Sequence, residues 1–67
     1  MNEQTIRATI LRILEGRKIS LTRFAAEAGI EQASLWRFMN GKTGLSGTNL
    51  LKVLHAIEDA GNAVENA

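Results

Sequence analysis

The chain has no cysteine and no proline, one histidine, one tryptophan and two phenylalanines. The missing thiols exclude a disulfide staple and a thiolate metal site. His55 has no second histidine or cysteine to join it at a metal, so it reads as a half-buried helix residue and not a ligand. No apolar run approaches the roughly 18 residues of a membrane span. The opening Met1-Asn2-Glu3-Gln4 lacks the basic and then apolar character of a secretion signal. No close pair of acids marks a pocket wall, and so small a domain leaves little room for a cleft with perturbed groups. The expectation is a soluble, cytoplasmic protein that is not an enzyme. It should need no cofactor and no metal, and have no membrane partner and no small-molecule substrate.

What is present fits one small globular unit. A length of 67 residues allows a single domain. Such a domain buries only about 60% of its unfolded surface and is marginally stable. Apolar residues make up 45% and charged residues 22%, the balance of an ordinary folded protein. The net charge of +1 hides an uneven spread. All eight basic residues lie in 1–52 beside four acids, whereas the charged residues of 53–67 are Glu58, Asp59 and Glu65. A basic body with an acidic end suits a polyanion partner and a tail that stays off it. Taken alone, the same spread is also compatible with ordinary surface charge.

Four helix starts share one form, a capping residue held between apolar residues at N′ and N4. Asn2 lies between Met1 and Ile6, Ser20 between Ile19 and Phe24, and Ser46 between Leu45 and Leu50. Glu31 lies between Ile30 and Leu35, although glutamate caps poorly. The first helix is predicted from Glu3 to Glu15, with Ile6, Ile10, Ile13 and Leu14 inward and Gly16 as its left-handed stop. Arg17 and Lys18 then either meet phosphates or answer the negative end of that helix. The second is predicted from Leu21 to Ala28, with Phe24, Ala25 and Ala28 inward, and Ala25 small because two helices cross there. The last is predicted from Gly47 to Ile57 or beyond, with Leu50, Val53, Leu54 and Ile57 inward and an end at Gly61. Residues 58–67 lose periodicity, and 61–67 are expected to form a short tail that is frayed or weakly helical.

The third helix, 31–40, closed by Gly41, carries the chemistry. Leu35, Phe38 and Met39 form its apolar stripe. Gln32, Ala33, Trp36 and Arg37 lie off that stripe and offer an amide, a methyl, an indole and a guanidinium. Glutamine can pair with adenine, arginine with guanine, and an alanine methyl can meet a thymine methyl in a major groove. A helix, a turn at Gly29 and a second helix make the unit that presents its second helix to that groove. Gly41-Lys42-Thr43 also resembles the end of a phosphate-binding loop, but that pattern needs a preceding strand and a glycine where Trp36 stands.

Phe24-Ala25, Gly29-Ile30, Leu35, Phe38 and Asn40-Gly41-Lys42 together resemble the helix-turn-helix of the Cro and repressor family of phages, the lambda repressor-like domains. The resemblance covers about residues 5 to 57. It implies an all-α, compact domain of four helices, or four with a short fifth, over residues 1–60. Carried over position by position, it implies base reading by Gln32, Ala33 and Arg37. It implies backbone or other DNA contact by Ser34, Lys42 and Thr43, while Ser20 and the open amides of the second helix's first turn make a natural phosphate site. Family members often hold the backbone with a glutamine at the position of Leu21; this chain departs there, and Arg23 can stand in. Trp36 is left with three options: sugar and phosphate, helix 4, or a subunit contact. The fifth helix that often forms the dimer is nearly absent from the sequence, yet two contacts per reader give limited discrimination, so a homodimer on double-stranded DNA is expected. The methionine start and short tail suit a complete small phage or bacterial protein of Cro type. Its function is then that of a sequence-specific transcriptional regulator. The alternative is an antitoxin or protein-interaction module on the same fold, favoured by the outward Trp36 and Leu51.

Overall fold

Local chemistry at the helix ends builds the fold. The computed structural model describes residues 2–65, with side chains as far as Gly61. Four helices follow in order: α1 Glu3–Arg17, α2 Leu21–Ala28, α3 Gln32–Met39 and α4 Gly47–Glu65. Three starts are capped as their sequences predict. The Thr5 amide donates to Asn2 Oδ1 at 2.8 Å, the Arg23 amide to Ser20 Oγ at 3.1 Å and the Asn49 amide to Ser46 Oγ at 3.2 Å. Each satisfies one of the amides that a first turn leaves without a partner. Glu31 stands at the fourth start and its side chain makes no capping bond. Met1, the expected apolar partner of Ile6, lies outside the described residues.

The helix stops depend on where the next residue must go. Gly16 does not end α1, which runs to Arg17 and closes on Lys18 in the left-handed region, φ 56° and ψ 46°. The Ile19 amide then donates to the Leu14 carbonyl at 3.1 Å, a Schellman closure. Ile19 and Leu14 both pack against the core, so the turn falls where it brings Ile19 inward and Ser20 into the next cap. A turn at Gly16 would point a different residue at the core. Gly29, at φ 77°, closes α2 the same way: the Ile30 amide donates to Ala25 at 2.9 Å, and Ile30 is buried.

The core is wholly apolar. Ile6, Ile10, Phe24, Ala25, Ile30, Leu35, Phe38 and Val53 form one buried cluster. No polar or charged side chain among the described residues is buried. α2 packs against α3 and α4, and α4 also packs against α1. Two expectations need correction. α4 does not end at Gly61 but runs through it to Glu65. A glycine inside a helix costs only about 0.5–1 kcal/mol, and Ala60 beside it is buried, which anchors that end of the helix. Of the end expected to be frayed or weakly helical, residues 62–65 are helical, and residues 66 and 67 lie outside the described residues. His55 is exposed and not half-buried, because α4 turns Val53 inward and leaves His55 on its outer side. Among the described residues there is no fifth helix and no strand. No helix among them is long and apolar enough to cross a membrane.

Candidate nucleic-acid interface

α2, the Gly29 turn and α3 form a helix-turn-helix, and burial of one side of α3 decides what the other side shows. Leu35 and Phe38 are fully buried. Gln32, Ala33, Trp36 and Arg37 are all exposed on the opposite side. These four line one shallow depression together with Glu31 and Lys42. No side-chain hydrogen bond or ion pair among the described residues occupies Gln32 or Arg37, so both keep their full donor capacity for a ligand.

The end of α3 completes this surface. Gly41 takes φ 74°, its amide donates to Phe38 at 3.0 Å and the Lys42 amide donates to Arg37 at 2.9 Å. This is the closure that ends α1 and α2. There the residue after the left-handed position is an isoleucine turned to the core. Here it is Lys42, whose ammonium sits over the Trp36 ring, 5.4 Å from its centroid. An exposed cation–π contact of this kind contributes about 0.5–1 kcal/mol.

The other expected backbone-contact residues do not line the depression. Thr43 is exposed in the loop after α3, and Ser34 is half-buried in its first turn. Ser20 Oγ accepts from the Arg23 amide, which leaves its hydroxyl proton to donate elsewhere. Leu21 packs against the core, which explains in physical terms why an apolar residue stands there. Arg23 is engaged: its Nε donates to Glu27 Oε2 at 3.1 Å. Arg17 also holds Glu27, with Nη1 at 2.7 Å from Oε1 and Nη2 at 3.2 Å from Oε2. The hydrogen bond from Arg17, and then that from Arg23, hold the Glu27 carboxyl below its ordinary value.

Two positioning residues escaped the sequence reading. Arg7 of α1 donates through Nε to the Phe38 carbonyl at 2.7 Å and lies 4.5 Å from the Phe38 ring centroid. It therefore adds a cation and a second donor at the carbonyl end of α3. Its only sequence signal is a place at the edge of the stripe containing Ile6 and Ile10. Lys52 of α4 donates to the Gly29 carbonyl at 3.2 Å, tying that helix to the turn.

This architecture agrees with the family comparison. A family model, the Cro/C1-type HTH DNA-binding domain, matches residues 9–58, well over half of the chain. The chain belongs to that family. The match contains the whole of α2, the turn and α3, so the domain is a DNA-binding one. Neither the characterised proteins nor the solved structures give a match to this chain.

Proposed function

We propose that the protein is a sequence-specific regulator of transcription, of repressor or Cro type, that reads double-stranded DNA with α3. One observation carries this reading. Gln32, Ala33 and Arg37 stand exposed together on the outer side of α3, the second helix of a helix-turn-helix. In this reading these three meet base edges, while Lys42, Thr43, Ser20 and Ser34 hold the backbone and Arg23 does so once released from Glu27. Affinity comes from cations that displace counterions from phosphates, and specificity from α3. One good bidentate contact discriminates by about 1–3 kcal/mol. Two such contacts leave a short site, so a homodimer on two half-sites roughly 34 Å apart is part of the proposal. The protein's role is binding, in the cytoplasm, and not catalysis.

Selection from a random-sequence duplex pool at about 50 and 200 mM salt tests this reading, because counterion release appears as a steep loss of affinity across that range. The expected result is a steep slope and an enriched, two-fold symmetric site. An absence of duplex binding at the lower salt overturns the reading. A second reading, an antitoxin or interaction module, is favoured by the large apolar side chains left exposed, Trp36 at 49% and Leu51 at 60%. Its mark is a stoichiometric complex with a second small protein that survives high salt.

A further inference from the structure

Trp36 is 49% exposed and stands on α3 opposite the buried Leu35 and Phe38. Tryptophan is a residue type that anchors interfaces, because it brings a large apolar body and one polar handle. Its surroundings define what that body can receive. Ala33, three residues earlier, adds a methyl to the same depression. Arg37 and Lys42 add two cations to it, with Glu31 as the single acid of that lining. A depression that joins two apolar side chains to two cations suits a polyanion whose readable surface includes an apolar group. The Lys42 ammonium lies over the ring, 5.4 Å from its centroid. About half of Trp36 is open to solvent, which leaves apolar surface for a ligand. A phosphate would use only the indole N–H and leave the apolar surface wet. In the major groove the apolar group is the C5-methyl of thymine.

We propose that Trp36 and Ala33 form a cleft that receives a thymine methyl, which makes Trp36 a specificity-determining residue of the reading helix. This rests on the DNA-reading role given to α3 above.

The test uses the full chain and a duplex selected from the random-sequence pool. Each thymine is replaced in turn by deoxyuridine, which removes the methyl and keeps every phosphate and base-pairing group. At least one replacement should weaken binding of the wild-type protein about fourfold, the effect of one buried methyl. In Trp36→Ala that replacement should have no effect, and in Trp36→Phe it should keep part of its effect, since coupled groups lose their interaction together. Melting curves of both variants verify that they fold. The proposal is overturned if no replacement weakens wild-type binding. It is also overturned if Trp36→Ala weakens thymine and deoxyuridine duplexes alike, because the indole then lies on the backbone. Failure of the wild-type protein to select any duplex removes the DNA-reading role and this proposal together. Duplex binding without methyl dependence removes this proposal alone.

Discussion

The outer side of α3 and the corner between α1 and α2 are both basic in sequence, but they differ in what their charges already hold. On α3, Arg37 has no side-chain partner among the described residues, and Lys42 rests over a neutral ring. At the corner, Arg17 and Arg23 share the Glu27 carboxylate. A cation that must exchange a carboxylate for a phosphate gains less from DNA than one that gives up only water. Counting lysines and arginines therefore overstates the phosphate contacts this domain can make, and Glu27 sets which cations are available.

The largest expected effect is on the free side. Arg37→Ala should relax one base position of the selected site, at about 1–3 kcal/mol of lost discrimination. Repeating the selection with the variant measures this; a loss spread evenly over all sequences would move Arg37 from the bases to the backbone. Lys42→Ala should weaken all duplexes alike and lower the salt slope by about one. An altered sequence preference in that variant would contradict the assignment. Glu27→Gln sharpens the contrast from the other side. It releases Arg17 and Arg23, so affinity should rise modestly for every sequence and the salt slope should steepen. An unchanged slope means that the corner does not face DNA at all.

The parts of the fold that were legible in advance are the local ones. The caps at Asn2, Ser20 and Ser46 are visible because a capping residue and its target lie three positions apart. α2 occupies the predicted residues for the same reason. α1 stops at Lys18 and not at Gly16, because glycine is only permissive. The turn sits at Lys18, against the preference of its side chain, since that register docks Ile19 in the core. Nothing within a few residues of Gly16 contains that information. The same division runs through the site. Periodicity alone separates Gln32, Ala33, Trp36 and Arg37 from the buried Leu35 and Phe38. The partners that tune the site are nonlocal: Arg7 and Phe38 are 31 positions apart, and Arg17 and Glu27 are 10.

The smallest expected effect tests whether the corner matters to the fold as well as to binding. Glu27 is a carboxylate held below its ordinary value of 4.5 by Arg17 and Arg23. A depressed carboxyl adds stability that is present above its unfolded pKa and lost as pH falls through its folded one. The ion pairs are exposed, so salt screens them and the gain is small. Melting temperature should therefore fall on acidification below about pH 4.5, and fall less in Glu27→Gln, which has no charge to lose. The gap between the two curves should narrow at high salt. Parallel curves for the two proteins would show that the arginines hold Glu27 without stabilising the fold. The corner would then act only by withholding two cations from DNA.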